Sequence, residues 1–228
     1  MKLFILHGWT YNLNTWSEIS QRLKKLGHEP ILLNVPGLTT SSNKAWTIDD
    51  YINWLDGELK DQDKPIVIGH SNGGRIALAY AQKYPDKFKQ LILIDSAGLA
   101  HETLLRKTKL GILYVLSKLA KPVSGIKILR RAFYKIIGAR DYYEASPNMR
   151  QTMRYMLSAD KTLDLSKISV PTTVIWGEND RITPLKDGQQ IAKLLPHAEL
   201  HIINDARHAP HATHASKVAD IINQAIKA

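Results

Sequence analysis

The sequence predicts an α/β chain: a mainly parallel six-stranded sheet with helices on both faces, and a helical cap inserted after the fourth strand. Three observations predict it. Short apolar runs rich in Ile, Leu and Val alternate with stretches whose apolar residues recur at helical spacing. Residues able to do chemistry stand directly behind the apolar runs, where a parallel sheet gathers its ligands on one rim. Between residues 99 and 165 the alternation stops, and helical stretches punctuated by Pro122, Gly125, Gly138 and Pro147 take over.

Residues 2–6 form the first buried strand, which runs straight into His7-Gly8-Trp9-Thr10. A helix over 15–26 follows, with Trp16, Ile19, Leu23 and Leu26 at helical spacing and Gly27 as its stop. Residues 30–35 are the second strand, and Pro36-Gly37 turns the chain into a polar loop. Thr47 caps a helix running to about residue 60, with Ile48, Tyr51, Ile52 and Leu55 on one face. The third strand, beginning at Pro65, leads to Ser71, and the helix behind it ends near Tyr84-Pro85-Asp86. Residues 90–94 make the fourth strand, ending at Asp95. After the insertion, strands over 172–176 and 200–203 flank a helix over 185–195, and a last helix covers 215–227. The expected organisation is a core of residues 1–98 and 166–228 with a cap of residues 99–165.

A chain of 228 residues suits one domain, burying roughly 70–75% of its unfolded surface. Without cysteine, it can form no disulfide, no thiolate metal site and no cysteine nucleophile. The opening apolar run is too short for a secretory signal, and no stretch is long enough to span a membrane, so a cytoplasmic location is expected. The net charge is +10, and residues 99–165 carry most of it, with 13 Lys and Arg against 5 Asp and Glu. Such a segment reads first as solvated helix faces, and second as a patch able to attract nucleic acid, anionic lipid or an acidic protein. The basic residues are not interleaved as in a recognised nucleic-acid-binding module, so nucleic acid is not the expected ligand.

The chain is organised around Gly69-His70-Ser71-Asn72-Gly73-Gly74. A strand enters this hexapeptide and a helix leaves it, the context in which G-x-S-x-G places a serine on a strained, exposed turn. Serine needs a base to take its proton, and the base needs a group to fix its tautomer. Asp180 lies in the loop after the fifth strand and His208 in the loop after the sixth, giving the order Ser, Asp, His. His211 and His214 stand close to His208 as rival bases, each readable as a surface residue. Asp95 is a rival acid, since it also follows a strand. His7 reads as structural, and His70 as a packing residue.

His-Gly after the first strand, G-x-S-x-G, G-x-x-D-x-x-x-P over residues 177–184 and the late histidine all occur in order. Together they make the sequence resemble the α/β-hydrolase family along essentially its whole length. The resemblance implies Ser71 as nucleophile, His208 as base and Asp180 as orienting acid. It also implies an oxyanion hole formed by the backbone N–H groups of Trp9 and Asn72. Arg207 stands where the family usually has glycine before the histidine, a departure that bears on the geometry of that loop. The chemistry implied is hydrolysis of small-molecule carboxylic esters through an acyl-enzyme, with no cofactor and no metal. Carbon–carbon hydrolysis and non-catalytic ligand binding are the alternatives on this fold. A narrower similarity rests on His7-Gly8-Trp9, Thr15-Trp16, Leu163-Asp164-Leu165 and His208-Ala209-Pro210. It is to esterases acting on a pimeloyl methyl ester held by an acyl carrier protein, and it would make an acidic carrier protein the partner of the basic cap.

Overall fold

The computed structural model describes residues 1–100 and 145–227. Strands and helices alternate as the sequence predicts: β1 (Lys2–Leu6), α1 (Ser17–Lys25), β2 (Glu29–Leu32), α2 (Ile48–Leu59), β3 (Ile66–His70), α3 (Asn72–Lys83) and β4 (Gln90–Ile94). Then come α4 (Pro147–Ala159), β5 (Thr172–Gly177), α5 (Leu185–Leu194), β6 (Ala198–Ile203), the single turn α6 (Pro210–Thr213) and α7 (Ala215–Lys227). The strands form one six-stranded sheet in the order β2-β1-β3-β4-β5-β6. All five pairings are parallel.

Parallel strands joined by crossover helices are covered on both faces, so their residues are apolar without alternation. The two sides of each strand feed two separate cores. Phe4, Leu6, Val67, Leu91, Leu93, Val174 and Trp176 face one way, against Tyr51 and Leu55 of α2 and Ile76 and Tyr80 of α3. Leu3, Ile5, Ile66, Ile68, Ile92, Ile94 and Ile175 face the other, against Ile19 and Leu23 of α1 and Val218, Ile222 and Ile226 of α7.

Local signals place the ends of the elements. Thr47 and Asp50 cap α2 reciprocally, the Thr47 hydroxyl accepting from the Asp50 N–H and the Asp50 carboxylate from the Thr47 N–H. Ser146 caps α4, with Pro147 in the first turn. The second strand is shorter than its apolar run suggests. It lies at the sheet edge, and after the Leu33 N–H donates to Ile5 the chain leaves the ladder. The third strand reaches two residues beyond the apolar run, because Gly69 and His70 still pair with Leu93 and Ile94 of β4.

Of the expected cap, residues 101–144 lie outside the described residues, and with them most of its basic charge and the aromatic residues Tyr114, Phe133, Tyr134, Tyr142 and Tyr143. Its final helix, α4, buries Met149 and Met156 in the core that contains Tyr51 and Leu38. The Thr152 hydroxyl of α4 accepts from the Trp46 N–H at 2.8 Å, tying the helix to the start of α2. No helix among the described residues is long and apolar enough to cross a membrane.

Candidate active site

Ser71 sits at the apex between β3 and α3 with φ 51° and ψ −118°. A non-glycine residue held there stores about 1–3 kcal/mol of backbone strain. Its surroundings enforce the conformation: its N–H donates to Ile94, and its carbonyl accepts from Ala97 at 3.0 Å and Arg75 at 3.2 Å. The turn is possible only because Gly73 has no side chain, since a Cβ there would collide with the carbonyl oxygen of Leu6. Asn72 is the first residue of α3, so its N–H has no acceptor within the helix and opens from the helix mouth. Gly8 lies against the same spot: a Cβ on it would stand 3.0 Å from the Ser71 Cβ. That puts the chain at Trp9 beside the serine from the β1 side.

The loops after β5 and β6 bring the other two side chains to Ser71. His208 Nε2 lies 3.0 Å from Ser71 Oγ, and His208 Nδ1 lies 2.7 Å from Asp180 Oδ2. Asp180 is fixed as an acceptor: its Oδ1 receives the N–H groups of Ile182 at 2.7 Å and Thr183 at 3.1 Å. Its Oδ2 also receives the Thr183 hydroxyl at 2.7 Å. With the carboxylate accepting, the imidazole proton belongs on Nδ1, and the lone pair of Nε2 faces the serine hydroxyl. The Asp180 side chain is wholly buried, and His208 is about one-fifth exposed. A water-excluded carboxylate, an imidazole and a hydroxyl in one chain can activate the oxygen as a nucleophile.

Around this chain lies a layer of aromatic rings. His70 Nε2–H donates to the carbonyl of His208 at 2.8 Å and so holds the loop that carries the imidazole. The His70 ring packs edge-on to His211, and His211 stacks on Trp16 with centroids 4.1 Å apart. Burial is the main cause holding His70 well below the usual histidine range, and it lowers His211 to about 3. Both rings are therefore neutral at physiological pH. His211, expected at the surface, is 2% exposed; the turn of α6 folds it inward beneath Trp16. His214 is partly exposed and bonds the Thr213 hydroxyl. His7 is structural, as expected, with Nδ1 donating to the Gly8 carbonyl and Nε2 on the Thr39 hydroxyl.

Asp95, the rival acid, is completely buried at φ 41°. Its Oδ1 accepts from the Gly177 N–H at 2.8 Å, while Oδ2 has no partner among the described residues. Burial, reinforced by the Asp180 charge, pushes its carboxyl up to about 8, against the pull of the Gly177 bond. It is thus mainly protonated near neutral pH and does not bond His208; the ring nitrogen is taken by Asp180. His70, Asp95 and His208 each bring one nitrogen or oxygen within 4.8 Å of the others. Both His208 nitrogens are already engaged in the hydrogen bonds above, so a metal at this point would have to displace one of them.

Sequence reasoning missed several contributors. Thr183, whose hydroxyl joins Asp180 Oδ2 to the region of Asp95 and His208, was visible only as part of a loop motif. The buried pair of Arg75 on α3 and Asp160 after α4 joins positions 85 apart in sequence, and nothing local announces it. Arg207 leaves the loop geometry intact: its side chain is exposed, and its carbonyl packs on Gly177, where any Cβ would collide.

The class follows from this architecture: a parallel sheet with a serine elbow after one strand, and an acid and a histidine after two later ones. A family model described as alpha/beta hydrolase fold matches residues 3–121 and 126–215, and the chain belongs to that family. Among particular relatives, it is 25% identical to "Lipase 3" of Moraxella sp. (strain TA144) over 91% of this chain and 71% of that protein. It is 26% identical to a "2-hydroxy-6-oxononadienedioate/2-hydroxy-6-oxononatrienedioate hydrolase" of Klebsiella pneumoniae over 96% of this chain and 84% of that one. A "Pimeloyl-[acyl-carrier protein] methyl ester esterase" of Legionella pneumophila is 25% identical over 100% of this chain and 95% of its own length. Of solved structures, the alpha/beta hydrolase enzyme MGS-MChE2, from the metagenome of sediments of the Mar Chica lagoon in Morocco, aligns with a TM-score of 0.72. That match has 20% identity and covers 100% of this chain and 90% of that one. The protein is a hydrolase of this family.

Proposed function

We propose that the protein is a cytoplasmic serine hydrolase that cleaves small carboxylic esters through an acyl-enzyme on Ser71. The observation that carries the reading is the continuous chain Ser71 Oγ, His208 Nε2, His208 Nδ1, Asp180 Oδ2, with links of 3.0 and 2.7 Å. In this scheme Ser71 Oγ attacks the ester carbonyl carbon as its proton passes to His208 Nε2. The backbone N–H groups of Trp9 and Asn72 receive the oxyanion; one such donor contributes about 3–4 kcal/mol to lowering the barrier. His208 then returns the proton to the departing alkoxide, leaving the acyl group on Ser71. Water, deprotonated by the same nitrogen, releases the acid and restores the serine. Asp180 keeps the proton on Nδ1 throughout.

Hydrolysis of p-nitrophenyl acetate by wild type and Ser71→Ala tests this. The variant should lose on the order of a millionfold in turnover, and a fluorophosphonate probe should label Ser71. Equal rates, or labelling of another serine, would refute the mechanism. No hydrolysis of any acyl ester by wild type would favour a ligand-binding relative.

A second reading concerns substrate delivery. The Legionella esterase aligns over the whole chain, and residues 99–165 hold 13 basic against 5 acidic residues. An acidic carrier protein presenting an acyl methyl ester suits that excess of positive charge, and its binding would weaken steeply with salt. Equal rates on carrier-linked and free methyl esters at low salt would exclude it. The similarity to the Klebsiella hydrolase makes carbon–carbon cleavage the remaining alternative for the same nucleophile.

A further inference from the structure

Among the described residues, two buried side-chain donors without a partner belong to the residues that flank Ser71: Asn72 Nδ2 and Trp9 Nε1. The orientation of the Asn72 amide is not free. Arg75 Nη1 donates to Asn72 Oδ1 at 2.6 Å, and a guanidinium can only donate, so the oxygen must face it and the NH2 must face away. Arg75 is itself immobilised by a two-point bond to Asp160, Nε to Oδ1 at 2.6 Å and Nη2 to Oδ2 at 2.9 Å. All three residues are more than nine-tenths buried. The Asn72 stem leans toward the N-terminal mouth of α3, as helical Cα–Cβ bonds do, and that is the Ser71 end. A rigid, buried amide with no acceptor for its NH2 is costly to keep, and this one stands next to the nucleophile.

We propose that Asn72 is a specificity-determining residue whose Nδ2 donates to an acceptor oxygen on the acyl portion of the substrate, a ketone or a carboxylate. Arg75 and Asp160 are the positioning residues that aim it. The inference rests on the ester-hydrolase reading above and narrows its substrate class. It accounts for the direction in which the amide is fixed, since an alkyl acyl chain would leave the NH2 as unsatisfied as it is now. Asp160 closes the helix α4 that packs on the core, so the aim of the amide depends on that helix being seated.

The test compares methyl levulinate and monomethyl glutarate with methyl valerate, whose five-carbon acyl chain carries no acceptor. Wild type should favour at least one acceptor-bearing ester by roughly ten- to hundredfold in kcat/KM, the size of one hydrogen bond to an otherwise orphaned donor. The two substrates separate a ketone from a carboxylate. In Asn72→Leu, which keeps the number and branching of side-chain heavy atoms and loses both N–H groups, the preference should collapse toward one. Any loss common to all esters cancels in that ratio. Asn72→Asp, which retains an acceptor for Arg75, serves as the second variant and should also lose the preference for monomethyl glutarate, now by repulsion. A wild type that cleaves all three esters equally, or a preference that survives in both variants, overturns the proposal while leaving the hydrolase reading intact. A wild type that cleaves no ester overturns both.

Discussion

Replacing Asp95 with Asn should stabilise the protein, by an amount that grows with pH. The carboxyl titrates near 3.8 in an unfolded chain and near 8 when folded. Below about pH 4 it is protonated in both states and contributes no pH dependence. Between those values the unfolded chain has released the proton and the folded chain keeps it, so stability falls with rising pH at about 1.4 kcal/mol per unit. Above pH 8 both states are ionised and the loss stops growing; by then it amounts to several kcal/mol, on the order of 5. Asparagine has the shape of the protonated acid and still offers Oδ1 to the Gly177 N–H. It places an NH2 where Oδ2 now has no partner. Urea unfolding of wild type and Asp95→Asn at pH 5, 6, 7 and 8 reads the difference directly. The neutral histidines His70 and His211 impose an opposite slope, but they occur in both proteins and cancel. A difference that does not change with pH, or one favouring wild type at pH 8, would refute a buried, protonated Asp95.

Asp180→Asn should reverse the tautomer of His208 and lower kcat on the order of 10⁴-fold while the fold survives; a loss under tenfold would point to another acid. His70→Phe keeps the ring packing against His211 but removes the bond to the His208 carbonyl, so kcat should fall by about tenfold or more with KM little changed. His211→Phe should flatten the acid limb of stability. The folded ring titrates near 3 and the unfolded one near 6.5, so wild type loses stability as pH falls below 6.5 and the variant loses less, seen by thermal unfolding at pH 4 to 7. Asp160→Leu strands the buried guanidinium of Arg75 and should cost about 3–5 kcal/mol in a denaturant titration.

The architecture was legible because its causes are local. Parallel strands buried on both faces must be continuously apolar, and Phe4 or Ile92 shows this without reference to any neighbour in space. The elbow was equally legible, because Gly69 and Gly73 are demanded by a turn only a few residues long. The order of Ser71, Asp180 and His208 along the chain marked the candidate site, since each follows its own strand. Where a strand ends was less legible. The second strand stops at Leu32 because it lies on the sheet edge, and edge position belongs to the whole sheet.

What the amino-acid order determined, then, was the set of elements and the loops on which the candidate site side chains ride. Only the tertiary structure distinguishes the surroundings of the carboxylates and of the histidines. Asp95 and Asp180 both follow strands, yet one is buried with a single N–H partner and keeps its proton. The other receives two backbone N–H groups and a hydroxyl and meets the imidazole. His211 is three residues from His208, but a turn of helix stacks it on Trp16. The direction of the Asn72 amide was fixed from 88 positions away, by Asp160 acting through Arg75. Burial and hydrogen-bond partners set the charge and aim of each group, and both come from residues that are neighbours only after folding.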